Sequence, residues 1–351
     1  MRYTLMGRSG LRVSELALGT MTFGEAWGWG ASQEESRRIF DAYVEAGGNF
    51  VDTASNYTNG ESERFVGELV APIRDRIVLA TKYTLSSRGK DPNSGGNHRK
   101  NLVQTLDESL RRLRTDYVDL LWLHMWDGMT PVEEVVRALD DLVSAGKVLY
   151  VGISDTPAWV ISQAVTLADL RGWSRFIGLQ LPYSIADRDA ERELLPMAAA
   201  LDLTTTAWGV LEGGALTGKY LVDDDAAAKR YSGAGERVNT LAREVLAVAD
   251  ELGATPAQVA TAWVRHQPWR VVPIVGARTE AQLRENLAVL DIRLEEEHVE
   301  RLSAASDFRR GFPRDFLESD DVRGLIFGDT FDLIDDLRAG SATDARVPSA
   351  A

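Results

Sequence analysis

Eight short apolar runs, separated by amphipathic segments, restrict the folds open to this chain more than any other feature. They are "LALGT" near Leu16, "FVDT" from Phe50, "IVLATKY" from Ile77, "YVDLLWLH" from Tyr117, "VLYVGIS" from Val148, "FIGLQ" from Phe176, "LTTTAW" from Leu203 and "VVPIVG" from Val271. Runs of this length without strict alternation read as strands buried on both faces. Helical patterns fall between them, such as "SQEESRRIFDAYVEAG" from Ser32 and "NLVQTLDESLRRLR" from Asn101. In "PVEEVVRALDDLVSAG", Val132, Val135, Val136, Leu139, Leu142 and Val143 share one face, Pro131 suits a first turn, and Gly146 suits the stop. Buried strands alternating with one-sided helices imply a parallel sheet covered by helices, and eight such units close a (β/α)8 TIM barrel. An open doubly wound sheet competes, but the first strand leads into "GTMTFGEAWGWGAS" and not into a tight G-x-G-x-x-G turn. The expectation is one barrel domain over residues 1–340. It includes an extension from about residue 303 at one mouth, and residues 341–351 form a disordered tail.

Composition narrows the function classes. Thirty-nine Lys and Arg against 53 Asp and Glu leave a net charge of −14, which argues against nucleic acid and anionic membranes as partners. The absence of cysteine removes disulfides, thiolate nucleophiles, iron–sulfur clusters and cysteine-ligated zinc. His98, His124, His266 and His298 form neither H-x-H nor H-E-x-x-H, so no histidine-built metal centre is expected. No secretory h-region or membrane-length apolar run occurs, and the reading is a soluble cytoplasmic protein. Homo-oligomerisation stays open.

The strand ends carry the chemistry. Asp52 closes the second run, Lys82 the third and His124 the fourth, and Tyr57 follows just beyond the second in "NFVDTASNYTNGESE". In a closed parallel barrel these ends face one mouth. A phenol near pKa 10 is a poor acid at neutral pH, and an adjacent ammonium is expected to lower that value. Asp52 would keep Lys82 charged, and His124 could orient a substrate oxygen. Together these groups are equipment for protonating an oxyanion, as when a carbonyl becomes an alcohol. Singly, each has a plainer reading: Asp52 a cap, Lys82 a solvated strand end, His124 a core histidine, Tyr57 a packed ring.

In "PIVGARTEAQLRENL" a strand runs through a Gly-Ala turn into a helix from about Thr279. Free N–H groups at that helix start, with Arg278 beside them, suit the 2′-phosphate of an adenosine and so favour NADPH over NADH. A plain cap with a solvated arginine is the alternative.

The chain resembles the aldo-keto reductases, NAD(P)H-dependent carbonyl reductases built on a (β/α)8 barrel. The blocks "LALGTMTFG", "NFVDTASNYTNGESE", "IVLATKY", "DLLWLHMWD", "GKVLYVGIS", "ALTGKY" and "PIVGARTEAQLRENL" follow that family's order over residues 1–305. The resemblance implies a catalytic tetrad of Asp52, Tyr57, Lys82 and His124, with Tyr57 the general acid. It also implies cofactor contacts. Gly276, Arg278, Gln282, Glu285 and Asn286 match the adenosine and phosphate side. Ser154 and Gln180 match the carboxamide end, and Trp208 the ring that stacks on the nicotinamide. Lys219 matches a pyrophosphate contact, with Leu211 in the loop before it, while Thr20 and Met21 match the adjoining ribose. The long loops and "GARTEAQLREN" look closer to the bacterial and potassium-channel-β-subunit side of the family.

Three positions depart from the family pattern. Asp155 follows Ser154 where asparagine is usual, and it reads either as a carboxamide partner or as a cap for a helix beginning at Pro157. Gly209 replaces a residue that often contacts phosphate, and Glu212 adds charge near the expected pyrophosphate. Phe23, Trp27 and Trp29 of the first loop and Trp126 of the fourth, beside Tyr57 and His124, are expected to wall a pocket for an apolar aldehyde or ketone. The tail aromatics Phe308, Phe312 and Phe316 could add to that wall. "SSRGKDPNSGGNHRKN" after Ser86 reads as a lid or a flexible insertion. Two other classes compete: a nucleotide-binding regulatory subunit with slow or no turnover, and a barrel enzyme using Lys82 as a Schiff-base nucleophile.

Overall fold

The structure is a computed structural model that describes residues 1–221, 235–306 and 308–334. Ten strands occur among them. An antiparallel hairpin, β1 (Tyr3–Leu5) and β2 (Arg12–Ser14), precedes the eight that were expected. These are β3 (Ala17–Gly19), β4 (Phe50–Asp52), β5 (Val78–Tyr83), β6 (Val118–Leu123) and β7 (Val148–Ser154). The last three are β8 (Phe176–Pro182), β9 (Thr204–Trp208) and β10 (Val271–Val275). They pair in parallel from β3 to β10, and β10 returns to β3, so the sheet closes into a (β/α)8 barrel.

Local sequence accounts for the helices between them. Ser32 caps Gln33–Glu45 by accepting from Glu35 N, and Gly146 (φ 71°) turns the chain just past Val132–Ser144. Pro131 sits one place earlier than the spacing suggested, at the cap, where it has no amide hydrogen to leave unpaired. Apolar helix faces cover the outer side of the sheet around residues such as Val51, Leu79 and Leu121.

The barrel's inner face is a second apolar cluster. Phe50, Ala80, Leu120 and Trp122 point inward, and Met6 and Val13 of the hairpin close the lower mouth against them. Side chains alternate along a strand, so the indole of Trp122 shares the interior with residues two places away. Gly152 and Gly178 leave room for it: a Cβ on Gly152 would lie 2.3 Å from the Trp122 ring, and one on Gly178 only 2.4 Å from Met6. Gly152→Ala is therefore expected to destabilise the fold by about 1–3 kcal/mol through overpacking, read from the urea midpoint at unchanged slope.

The extension after Ala305 docks on the rim beside the C-terminal ends of β7 and β8. Arg188 donates to the Ser303 carbonyl and Arg192 to that of Arg309, while Arg314 returns a bond to the Glu191 carbonyl. Phe308 packs under the guanidinium groups of Arg188 and Arg192. Residues 341–351, expected as a disordered tail, lie outside the described residues, as do 222–234 of the long loop after Trp208.

Candidate active site

Strand alternation brings three of the four expected groups inward at the upper mouth. Asp52 lies two residues after Phe50, Lys82 two after Ala80, and His124 two after Trp122, so each shares its predecessor's face. Asp52 and Lys82 are buried, at 2% and 0% exposure, which makes a direct pair necessary. Lys82 Nζ lies 2.5 Å from Asp52 Oδ2, and it also donates to the Thr53 carbonyl at 2.9 Å and to the Tyr57 hydroxyl at 3.1 Å. All three ammonium hydrogens thus have acceptors. Gln180 Nε2 donates to the other Asp52 oxygen at 3.2 Å.

Tyr57 comes from a loop, and a different device fixes it. Thr58 (φ 45°) and Asn59 (φ 55°) adopt left-handed backbone directly after it, a conformation costly for threonine. The turn is held because Thr58 Oγ1 donates to the Phe23 carbonyl at 2.7 Å and accepts from Ser62 N at 3.0 Å. The ring of Tyr57 meets that of His124 edge-on, with centroids 6.2 Å apart.

Electrostatics separate the roles. Burial pushes the Tyr57 phenol above its usual value; the Lys82 ammonium pulls it down, and the Asp52 carboxylate pushes it up again. The expected net lowering is not what the structure gives, because desolvation of the phenolate outweighs the ammonium. Burial works against the Lys82 ammonium too, but Asp52 and Tyr57 outweigh it and its pKa is raised. His124 is pushed down to about 3 by burial, with Lys82 adding to the effect. It is a neutral imidazole at ordinary pH, and its Nδ1 is buried without a hydrogen-bond partner.

Above these groups opens a cleft of 580 Å³, lined by Trp27, Asp52, Tyr57, His124, Asp155, Gln180 and Trp208 among others. It shares Leu211, Gly214, Gly276 and Asn286 with a second cleft of 640 Å³ that carries Lys219, Arg278, Gln282 and Glu285. Met21 and Gly209 line the first cleft, whereas Trp29 stands in the second, away from Tyr57. Phe23 is a fully buried core residue, and Trp126 packs on the core outside the lining. Thr20 and Ser154 are buried beneath the floor. The Thr20 hydroxyl donates to the Asp52 carbonyl and accepts from Ser62. Phe308, Phe312 and Phe316 line neither cleft.

The wall the sequence missed includes Asn56, Leu85, Met125, Pro182 and Asp187. Leu85 and Met125 each lie two residues past a strand end, a position that counting from Tyr83 and Leu123 would have found. The loop holding Leu85 is tied down, since Asn97 Nδ2 donates to Thr84 Oγ1 and to the Met125 carbonyl.

The departures now have positions. Gly209 has φ 73°, a backbone that favours glycine. Glu212 lines the first cleft and not the second, accepting from Ser184 Oγ at 2.7 Å. Pro157, not Asp155, is the cap of helix Ala158–Arg171, and the Asp155 carboxyl lines the first cleft. At the helix Glu280–Leu287 the start is less free than expected. Thr279 Oγ1 accepts from Gln282 N and Glu35 Oε1 from Glu280 N, while Arg278 and Lys219 line the second cleft.

Sequence relationships place this barrel, with its buried Asp–Lys pair, loop tyrosine and neutral histidine, in a known family. The model of the Aldo/keto reductase family fits residues 15–307. The chain belongs to the aldo/keto reductase family. It is 39% identical over 323 residues to a norsolorinic acid reductase of Aspergillus flavus, covering 89% of this chain and 83% of the relative. A putative aryl-alcohol dehydrogenase of Saccharomyces cerevisiae is 36% identical over 331 residues, covering 89% and 88%. An aldo-keto reductase of Emericella nidulans is 36% identical over 339 residues, covering 90% and 84%. These relatives are fungal, and they do not support the bacterial and potassium-channel-β-subunit side expected from "GARTEAQLREN". That block builds the cap and first turns of the helix after β10. No helix among the described residues of this aldo/keto reductase is long and apolar enough to cross a membrane.

Proposed function

We propose that the protein reduces an aryl aldehyde or ketone to the alcohol with NADPH. The observation that carries this reading is Lys82 Nζ bridging Asp52 and Tyr57 under the cleft, next to a neutral His124. A substrate oxygen between Tyr57 and His124 meets a proton donor on one side and a hydrogen-bond donor on the other. Tyr57 gives up its proton as negative charge grows on that oxygen, and the adjacent ammonium stabilises the phenolate it leaves. Asp52 holds the ammonium in place, with Gln180 bracing its second oxygen.

The cofactor reading rests on fit. Two joined clefts offer an exposed aromatic face, Trp208 at 42% exposure, at the Tyr57 end and two cations, Lys219 and Arg278, at the other. Trp208 and Gln180 would hold the nicotinamide, Lys219 the pyrophosphate, and Arg278, Gln282, Glu285 and Asn286 the adenosine end. NADPH bound there supplies the hydride. Arg278→Met is expected to weaken NADPH roughly tenfold or more, the loss of a charge-assisted bond, while NADH is little changed; titration of protein fluorescence with each cofactor reads both.

An aryl substrate is favoured by the apolar walls at Trp27, Leu85 and Met125 and by relatives named for norsolorinic acid and aryl alcohols. NADPH consumption with a panel of aryl and alkyl aldehydes and ketones tests the reading. Turnover of aryl carbonyls ahead of alkyl ones supports it. Tight NADPH binding with no turnover across the panel would instead favour a nucleotide-binding regulatory subunit.

A further inference from the structure

The cleft above Tyr57 is lopsided in charge. Asp52, Asp155, Asp187 and Glu212 all line it, and among the described residues no lysine or arginine does. Asp52 is neutralised from below by Lys82. Asp187 and Glu212 feel Arg237. Asp155 makes no ion pair among the described residues, although the field of Lys82 reaches it.

The backbone holds Asp155 in a less common conformation. Its φ is 41°, in the left-handed region. Its N–H donates to the Gln180 carbonyl at 3.3 Å, and its own carbonyl accepts from Trp126 N at 3.4 Å. Pinned on both sides, the residue places its carboxyl in the cleft with Tyr57, Gln180 and Trp208. Aspartate enters the left-handed region more readily than most residues, and here the two backbone bonds hold it there.

We propose that Asp155 makes the cleft bind the oxidised, cationic nicotinamide more tightly than the reduced, neutral one. This rests on the cofactor reading above. A dihydronicotinamide that loses a hydride becomes a pyridinium ring, so one positive charge appears in the cleft. The carbonyl carbon gains that hydride and its oxygen gains the Tyr57 proton. A carboxylate facing the ring stabilises the charged product and is indifferent to the neutral reactant, so the bound pair is biased towards donating hydride.

Burial raises the Asp155 pKa, against hydrogen bonding from Trp208 and the pull of Lys82, which makes the preference depend on pH. Below its pKa the neutral carboxyl loses its attraction for the cation, so NADP+ binding tightens as pH rises through that titration. Of the other groups at the site, His124 is already neutral above about 3. Tyr57 and Lys82 are raised away from neutrality, while Asp187 and Glu212 are raised too and could add a slope of the same sign.

The experiment is equilibrium titration of NADP+ and NADPH, by quenching of tryptophan emission, on the wild type, Asp155→Asn and Asp155→Gly. Both replacements tolerate the left-handed backbone, so the loop is kept while the charge goes. NADP+ is expected to weaken about tenfold in both variants, the scale of one charge pair in a partly solvated cleft, with NADPH nearly unchanged. The rise of NADP+ affinity with pH is expected to flatten in both. Equal weakening of the two cofactors, or no change in either, overturns the role of Asp155 and leaves the cofactor reading standing. A wild type that binds neither form overturns the cofactor reading itself.

Discussion

Tyr57→Phe lowers kcat for carbonyl reduction by about 10²–10⁴-fold, the range of a lost general acid, and leaves the NADPH dissociation constant within about threefold of the wild type. The phenylalanine ring keeps the edge contact with His124 but has no oxygen to accept from Lys82. Single-turnover measurement of NADPH consumption separates this chemical loss from product release. The pH profile carries a second check. The raised phenol pKa keeps the acid protonated through neutrality, so the fall in reduction that Tyr57 itself causes lies on the alkaline side. His124, neutral above about 3, adds no inflection where an ordinary histidine titrates, between about pH 5 and 8. A variant retaining a tenth or more of the wild-type rate would mean that another group delivers the proton.

Lys82→Met produces the largest loss of stability expected here, about 3–5 kcal/mol, because it leaves the Asp52 carboxylate buried without its cation. Replacing both, as Asp52→Leu with Lys82→Met, is expected to recover most of that loss, since a buried pair adds little over well-packed apolar groups. Activity should return in neither. Urea unfolding of the wild type and the two variants separates the stability effect, and turnover separates the function. A double variant no more stable than the single one would mean the pair is worth more to the fold than its chemistry requires. The raised Lys82 pKa has its own sign. A lysine whose folded pKa exceeds its unfolded one contributes stability that is complete below the unfolded value, near about 10.4. That contribution is lost as pH rises through the folded value.

The parts of the site that lie on strands were legible in the sequence, because a period of two fixes which face a residue takes. Asp52, Lys82 and His124 follow Phe50, Ala80 and Trp122 at that period. Tyr57 was not legible in that way. Its place depends on two left-handed residues and a threonine hydroxyl bonded to a carbonyl 35 positions away, which no local pattern encodes. The same limit explains the first loop. Phe23, Trp27 and Trp29 are near neighbours in sequence, yet they end in the core, in the first cleft and in the second cleft respectively. Aromatic content marks a residue for burial without saying against what. Signs of pKa shifts were legible only where one contribution dominates: the ammonium beside Tyr57 was foreseeable, but the weight of its burial needed coordinates.

The hairpin beneath the barrel gives the proposed reaction a direction for its traffic. With Met6 and Val13 seated in the lower mouth against Trp122 and Phe50, apolar side chains fill the barrel beneath Lys82. On the proposed mechanism, the proton that Tyr57 surrenders in each cycle is then restored through the same opening by which the alcohol leaves. Reloading the acid is thereby tied to emptying the cleft, and a product that lingers would hold the protein unarmed for the next turnover.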